Sequence, residues 1–124
     1  MKIYIAQSLT HATEEYLTQM DELRLKIEEK HEVLKFFGLG EGLPFQIYEH
    51  DINCIKNCDL LLAECSYPAT GVGFEFATAL NLGKKVIAVA HEGSKLGRLI
   101  RGIQNPNFQF ATYSNINHVL ALIH

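Results

Sequence analysis

The stretch from residue 59 to residue 83 constrains the fold of this chain more than any other. An unbroken apolar run over residues 60–63 predicts a short strand that is buried on both faces. A turn with Pro and Gly follows over residues 66–73, and helix-forming residues then continue to Gly83, where the helix should end. The stretch therefore predicts a strand, loop and helix unit of the kind that builds parallel sheets.

The turn of this unit is a candidate site. Gly71 and Gly73 would let backbone N–H groups approach a ligand, and Glu75 would lie in the first turn of the helix, where the helix dipole favours a carboxylate. We expect Glu75 to stay ionised near neutral pH and to lie beyond the end of its strand, where open parallel sheets bind ligands. An acidic residue there often does no more than complement the dipole, and that alternative stays open at this point.

The other segments alternate in the same way. Strands are predicted over residues 2–6, 31–37, 85–90 and 108–111, and helices after Thr13, over 45–57 and 96–103, and after Ser114 or Asn115. This alternation predicts a three-layer, flavodoxin-like (Rossmann-like) α/β fold: a five-stranded parallel sheet with helices on both faces and the first and third strands adjacent. A length of 124 residues corresponds to one domain, residues 1–124.

Asp51 is a second candidate. The apolar positions Tyr48, Ile52 and Ile55 share one stripe of the predicted helix, and Asp51 falls within that stripe. An inward carboxylate is costly unless it is paired or lies in a solvated cleft. The alternative is an Asp that simply bonds a backbone group or an Arg.

Adjacent first and third strands would bring these candidates together. The loop at 7–10, with the hydroxyl of Ser8, would face the loop at 66–73, and the start of the second helix would bring Asp51 to the same edge. Two acids in unlike environments suit displacement at an acetal-like carbon. We expect Glu75 to be the nucleophile and the more enclosed Asp51 to manage the proton of the leaving group or to orient the base.

Composition excludes several other classes. A balance of 11 basic against 14 acidic residues gives a net charge of −3 and no field for nucleic-acid backbones. No apolar run approaches the roughly 18 to 20 residues of a membrane span, so we expect a soluble cytoplasmic protein. Cys54, Cys58 and Cys65 form no disulfide framework or redox motif, and we predict neither a metal nor a cofactor.

Several motifs together resemble a known family. They are Tyr4 to Ser8, Asp51, Cys58 to Glu64, Gly71-Val-Gly-Phe-Glu75, Ala79 to Val86 and Leu99-Ile-Arg-Gly102. These residues are similar to the nucleoside 2-deoxyribosyltransferase superfamily, and most of all to its 2′-deoxynucleoside 5′-monophosphate N-hydrolase branch. The similarity covers nearly the whole chain and is strongest from residue 51 to residue 86.

The resemblance implies cleavage of the N-glycosidic bond of a nucleoside or nucleotide, by hydrolysis or by transfer to another base. Glu75 matches the nucleophile that attacks C1′ of the sugar, and Asp51 matches the acid that contacts the departing base. The positions that would bind the small-molecule substrate are Tyr4, Gln7, Ser8, Ala69, Thr70, Gly71, Gly73, Ser94 and Arg98. Because family members commonly complete the site with the segment that aligns with residues 94–98 of a neighbouring subunit, a homodimer or higher homo-oligomer is expected.

Four positions depart from the family pattern. The monophosphate hydrolases have serines at the positions of Ala69 and Gly97, and the transferases have an Asp at the first of these. Gln7 replaces a common Gly, and Thr10 replaces an Arg of the hydrolase branch. These departures leave open a nucleotide-binding or regulatory module on the same fold. A flavin-binding or response-regulator module is less compatible, because the first loop lacks a phosphate cradle and no acidic pair follows the first strand.

Overall fold

The structure is a computed structural model that describes residues 1–10, 12–37, 42–94 and 97–123. Its elements, in chain order, are β1 (Lys2–Ala6), α1 (Glu14–Glu28), β2 (Glu32–Leu34), α2 (Pro44–Asn57), β3 (Leu60–Glu64), α3 (Thr70–Asn81), β4 (Lys85–His91), α4 (Arg98–Arg101), β5 (Phe108–Tyr113) and α5 (Ile116–Ile123). The five strands form one parallel sheet in the order β2-β1-β3-β4-β5. The predicted flavodoxin-like fold is confirmed.

The central strand β3 shows why the sheet is covered on both faces. All five of its residues are buried, and alternate side chains enter different cores. Leu60 and Leu62 pack in a core with α1 and α5, whereas Leu61 and Ala63 pack in a core with α2 and α3. A strand that is buried on both sides has an unbroken apolar sequence, which is the pattern that predicted it.

Helix α1 forms as its sequence predicts. The Thr13 hydroxyl caps its N-terminus by accepting the N–H of Tyr16 at 3.1 Å. Its buried face consists of Tyr16, Met20, Leu23 and Ile27, spaced three or four residues apart. Because these side chains fill the core on one sheet face, the helix lies against β1 and β3, and its first turn, which contains Tyr16, begins near the cleft described below.

Two predicted boundaries change the description of the site. Strand β2 ends at Leu34, earlier than predicted, because residues 35–37 leave the sheet edge and bond to α2. Helix α3 begins at Thr70, earlier than predicted, so Gly71 and Gly73 lie inside its first turns and not in the preceding loop. The N–H of Gly73 accordingly bonds to the carbonyl of Ala69 at 3.3 Å.

The remaining differences are smaller. Strand β4 extends to His91 and strand β5 to Tyr113, one and two residues beyond the predicted ends, and these two residues form the last pair between the strands. The predicted short helix over residues 96–103 is observed as Arg98–Arg101, and residues 95–96 lie outside the described residues. The Gly-rich loop at 38–41 also lies outside them. No helix in the described part of the chain is long and apolar enough to cross a membrane.

Candidate active site

A cleft opens at the carboxyl edge of the sheet, between the loops that follow β1 and β3. These loops are neighbours because β1 and β3 pair directly, with Ala6 beside Ala63. The cleft has a volume of about 540 Å³ and is lined by Gln7, Ser8, Leu9, Thr10, Pro68, Ala69, Thr70, Gly71, Val72 and Glu75. Ligands of open parallel sheets bind in this position, so the fold and the candidate residues indicate the same place.

Glu75 brings a carboxylate to the wall of the cleft. It is the sixth residue of α3, which places it in the second turn, and its carboxylate accepts a hydrogen bond from the hydroxyl of Tyr4. Tyr4 is fully buried in β1, so its ring is fixed by the sheet. This bond holds the carboxylate in one orientation beside the cleft.

The environment of Glu75 differs from the one expected from sequence. Burial raises the pKa of Glu75 to about 7; the Tyr4 hydrogen bond lowers it, and the nearby charge of Asp51 raises it. The expectation that this carboxyl stays fully ionised at neutral pH is therefore wrong. The helix dipole does not offset the burial, because the field of a helix N-terminus falls off within the first turn and Glu75 lies beyond that turn.

Tyr4 remains a neutral hydroxyl. Burial, and then the charge of Glu75, raise the pKa of its phenol far above the ordinary value. A neutral phenol is a hydrogen-bond donor at every working pH, and such a donor stabilises the charged form of its partner. Tyr4 therefore acts against burial and favours the ionised form of Glu75.

The prediction placed Asp51 near the start of the second helix, but it lies midway along α2. It is half-buried, and its Oδ1 accepts the backbone N–H of Phe37 at 2.9 Å. It does not line the cleft as bounded above, but its charge contributes to the raised pKa values of Glu75 and Tyr4, so it lies within electrostatic reach of both. The expectation that Asp51 is the more enclosed acid does not hold, because its hydrogen bond lies at the surface whereas burial dominates at Glu75.

The predicted stripe around Asp51 is also only partly right. Ile55 is buried and Ile52 is half-buried, but Tyr48 is 57% exposed. The ring of Tyr48 instead lies 6.2 Å from that of Phe74 on α3, which is exposed as well. Helices α2 and α3 therefore present aromatic side chains to the surface.

Tyr4 was predicted to bind substrate, but it is buried, bonds Glu75 and does not line the cleft. The structure separates the other predicted substrate-binding residues into two groups. Those that line the cleft with Glu75 are Gln7, Ser8, Ala69, Thr70 and Gly71. Gly73 is half-buried beside them, and a Cβ added at Gly71 or Gly73 would meet no atom within 4 Å. Ser94 lines a separate cavity with Tyr16, Ser66 and Tyr113, and Arg98 is exposed on α4. Within one chain, residues 94 and 98 therefore do not reach the cleft.

Sequence reasoning missed the environment of Glu64. This carboxylate is fully buried at the end of β3 and accepts hydrogen bonds from the N–H and hydroxyl of Ser66, at 2.6 and 2.8 Å, and from the hydroxyls of Tyr16 and Tyr113. The signal was an acidic residue directly after the apolar run 60–63. An acid in that position must find internal donors.

All three cysteines, each of which the structure describes, are free. Cys58 is buried and Cys54 is half-buried, and burial raises the pKa of both thiols. In the described ranges, no group of three His, Cys, Asp or Glu side chains could hold a metal ion.

Comparison with known proteins decides the family. The family model described as nucleoside 2-deoxyribosyltransferase matches residues 3–113, which span the whole sheet and the cleft. The chain belongs to the nucleoside 2-deoxyribosyltransferase family. The family prediction is confirmed, and with it the prediction of an enzyme that acts on nucleosides or nucleotides.

Individual members of the family match over almost the full chain. A protein of Thermofilum pendens named as a 2′-deoxynucleoside 5′-phosphate N-hydrolase is 33% identical over 129 residues, covering 97% of this chain and 90% of that protein. The solved structure of a Clostridium botulinum CMP N-glycosidase is 27% identical with a TM-score of 0.80, covering 99% and 97%. A 2-deoxyribosyltransferase structure from Leishmania mexicana, 18% identical with a TM-score of 0.69 and coverage of 98% and 95%, shares the fold.

Proposed function

We propose that the protein cleaves the N-glycosidic bond of a nucleoside or its 5′-monophosphate through a glycosyl-enzyme intermediate on Glu75. One observation carries this proposal: the Glu75 carboxylate is desolvated at the wall of the cleft and is oriented by the buried Tyr4 hydroxyl. A poorly hydrated, fixed carboxylate is suited to attack an anomeric carbon. The relative from Thermofilum pendens is named as an N-hydrolase of 2′-deoxynucleoside 5′-phosphates and the one from Clostridium botulinum as a CMP N-glycosidase, and both names favour hydrolysis over transfer.

The first step forms a bond between a Glu75 oxygen and C1′ while the bond from C1′ to the base nitrogen breaks. The bonding electrons leave with the base. Asp51 contacts the departing base: one of its oxygens is held by the Phe37 N–H, which leaves the other for a polar group of the base. Tyr4 keeps its hydrogen bond to the carboxyl group, which limits movement of the nucleophile during the attack.

The second step releases the sugar. Water attacks C1′ as the acylal-type C1′–O bond to Glu75 breaks, and the electrons of that bond regenerate the carboxylate. The proton that the water loses passes to the base anion released in the first step, directly or through solvent. If a second base attacks in place of water, the product is a new nucleoside, which is the transferase outcome. Both outcomes require the same intermediate.

We assign the sugar and phosphate end of the substrate to the part of the cleft beside the N-terminus of α3, one turn before Glu75. Thr70 and Gly71 begin α3 there, and the N-terminus of a helix favours a phosphate. Ser8 adds a hydroxyl from the other wall. Ala69 and Gly97 lack the hydroxyls of the phosphate-binding serines, so phosphate binding would depend on these groups and on a second chain.

We also propose that a second copy of this chain completes the site. Ser94 and Arg98 do not line the cleft of their own chain, and the neighbouring Leu99 is 84% exposed. Phe45 and Tyr48 of α2 and Phe74 of α3 add further exposed apolar area. Exposed apolar side chains of this size are typical of interfaces between subunits. A nucleotide substrate also favours a cytoplasmic location.

Base release from a panel of nucleosides and nucleotides tests the proposal. The panel contains deoxyribonucleosides, ribonucleosides and both sets of 5′-monophosphates, including CMP, and the free base is measured by liquid chromatography. We expect Glu75→Gln, which keeps an acceptor for Tyr4, to lower kcat by roughly a thousand-fold or more, as loss of a nucleophile does. Equal base release by wild type and Glu75→Gln would refute the nucleophile.

Two additions to the assay separate the finer alternatives. With methanol as acceptor, two successive displacements give a methyl glycoside with retained configuration, whereas a direct attack inverts it. With a second free base, a new nucleoside indicates transfer.

The altered positions Ala69 and Gly97 favour the second candidate, a nucleotide-binding regulatory module. That module predicts thermal stabilisation by nucleotide without product, unchanged in Glu75→Gln.

A further inference from the structure

Glu64 is a buried charge that the proposed reaction does not use. In the part of the chain that the structure describes, it is the only fully buried charged side chain, and no ion pair to it is found there. A buried carboxylate without a cation is costly unless several donors surround it. The four hydrogen bonds to Glu64 therefore hold their donor groups strongly in place.

One of these connections leads to the first wall of the cleft. Ser66 donates both its N–H and its hydroxyl to Glu64, and its Oγ also accepts the N–H of His91 at 2.8 Å. Ser66 begins the short segment that ends at Ala69, the N-cap of α3, and residues 68–72 line the cleft. The hydrogen bonds of Ser66 to Glu64 and His91 therefore fix the first residue of this wall.

A second connection leads to the opposite wall. The hydroxyl of Tyr16 lies 3.4 Å from the Glu64 carboxylate and is also hydrogen-bonded by the backbone of Ser8. Ser8 belongs to the loop that forms the other side of the cleft. The ring of Tyr16 further packs edge-on against Tyr67 at 4.9 Å, so it contacts both walls.

We propose that Glu64 is a positioning residue that holds the two walls of the cleft, residues 7–10 and 66–70, at a fixed separation through Tyr16 and Ser66. For its effect on catalysis, this inference rests on the proposed function, because the substrate must span the two walls. A fixed separation places the sugar and phosphate end against α3 and the anomeric carbon against Glu75. Loss of the connection should therefore weaken substrate binding.

The alternative is that the Glu64 cluster only stabilises the fold, and the chain offers a matched pair that separates the two. Tyr16 and Tyr113 both donate to Glu64, and burial and the charge of Glu64 raise the pKa of both phenols. Only Tyr16 continues to the wall at residues 7–10, through the backbone of Ser8. Tyr113 ends β5, lies outside the cleft lining and connects only to Ser66 of the other wall, which Glu64 also holds directly. A purely stabilising cluster would make the two tyrosines equivalent for activity.

The kinetic test compares Tyr16→Phe with Tyr113→Phe, each corrected for its folded fraction from a thermal melt. We expect Tyr16→Phe to raise KM about ten-fold, the equivalent of one weakened charge-assisted hydrogen bond. Tyr113→Phe should keep KM and kcat within about two-fold while also lowering Tm. Equal kinetic constants in the two variants would overturn the inference.

Hydrogen exchange in the free protein supplies a readout that needs no substrate. Tyr16→Phe should speed amide exchange about ten-fold at residues 7–10 relative to Tyr113→Phe, and Glu64→Gln should speed it in both walls. If wild type releases no base from any substrate, the proposed function fails and the exchange difference alone decides the positioning role. Unchanged exchange at residues 7–10 in Tyr16→Phe would overturn that role even if the enzyme is active.

Discussion

A single carboxyl group, that of Glu75, sets the expected pH dependence of the reaction. Its pKa is raised to about 7 by burial, and only the ionised form can attack C1′. We expect kcat/KM to rise with pH and to level off above a midpoint of about 7. Because the Tyr4 hydrogen bond lowers this pKa, Tyr4→Phe should move the midpoint to higher pH. Initial rates from pH 5 to 9 give the midpoints of wild type and of Tyr4→Phe. A midpoint that is the same in the two proteins would contradict the hydrogen bond between Tyr4 and Glu75.

The same pKa shift predicts how stability changes with pH. The folded-state pKa of about 7 lies above the ordinary value of 4.5, so ionisation of Glu75 destabilises the folded protein progressively as the pH rises from 4.5 to 7. Below that window both states hold the proton and no cost exists. Glu75→Gln should therefore be more stable than wild type at pH 8, by up to about 3 kcal/mol, and equally stable near pH 4.

Urea unfolding of both proteins across this pH range measures the difference directly. All other titrating groups are shared, so their effects cancel in the comparison. A constant difference at every pH would mean that the pKa of Glu75 is not raised in the folded protein.

Asp51 has two separable roles, and two substitutions distinguish them. Its Oδ1 accepts the Phe37 N–H, which attaches the segment after β2 to α2, and its charge acts on Glu75. In the proposed reaction, that charge also acts on the departing base. Asp51→Asn keeps an acceptor for Phe37 but removes the charge, whereas Asp51→Ala removes both. We expect Asp51→Asn to lower kcat about a hundred-fold with little loss of stability. Asp51→Ala should also lower the free energy of unfolding by about 1 kcal/mol or more.

Steady-state kinetics and chemical denaturation give the two quantities separately. Full activity in Asp51→Asn would assign Asp51 to attachment of residues 35–37 alone. That outcome corresponds to the alternative considered from sequence, in which this Asp simply bonds a backbone group.

At the level of the elements, the first turns of α3 contain two glycines, of which one lines the cleft and the other does not. Gly71 and Gly73 occupy helical positions, where Gly is less stable than Ala by roughly 0.5–1 kcal/mol, and a Cβ at either would meet no atom within 4 Å. Only Gly71 lines the cleft. We expect Gly71→Ala to gain stability but to raise KM several-fold, because its methyl group would occupy substrate space.

Gly73→Ala is the matched control for this prediction. It should gain similar stability and leave KM unchanged. Thermal melts and Michaelis constants of the two variants provide the comparison. Equal KM values would show that Gly71 is present for reasons other than close approach of the substrate.

The elements also show what the sequence could reveal. The buried strand β3 and the helix α1 were predictable because an unbroken apolar run and a three-to-four residue spacing each have one structural solution. The start of α3 was predicted late because two glycines resemble a turn, and their helical geometry depends on the Ala69 cap and on packing against the sheet. Local propensity does not contain that information.

The site was partly predictable for a similar reason. Glu75 and Ser8 could be brought together from topology alone, since adjacent parallel strands place their following loops side by side. The pKa of Glu75 depends on burial in the fold, on the hydrogen bond from Tyr4 and on the charge of Asp51, and both residues are distant in sequence. The donors to Glu64 come from α1, the loop after β3, and β5, which no local pattern connects.

At the scale of the whole molecule, one chain does not account for all the expected substrate contacts. Ser94 and Arg98 lie outside the cleft of their own chain. Helices α2 and α3 also expose the aromatic side chains of Phe45, Tyr48 and Phe74. In a symmetric dimer each subunit would contribute Arg98 to the site of its partner, so every site would contain Glu75 from one chain and Arg98 from the other. Light scattering after gel filtration should show a dimer, and Tyr48→Glu should weaken it by placing a charge in the apolar surface.

Mixing two inactive variants tests whether the sites are shared. Glu75→Gln and Arg98→Ala should each be nearly inactive as homodimers, since each lacks one group in both sites. After subunit exchange, a mixed dimer has one site with both substitutions and one site with neither, so activity should return to about a quarter of the wild-type value in an equal mixture. A mixture that stays inactive although mass spectrometry shows mixed dimers would place both groups in the site of one chain. Because Arg98 is remote from the cleft of its own chain, we expect activity to be restored.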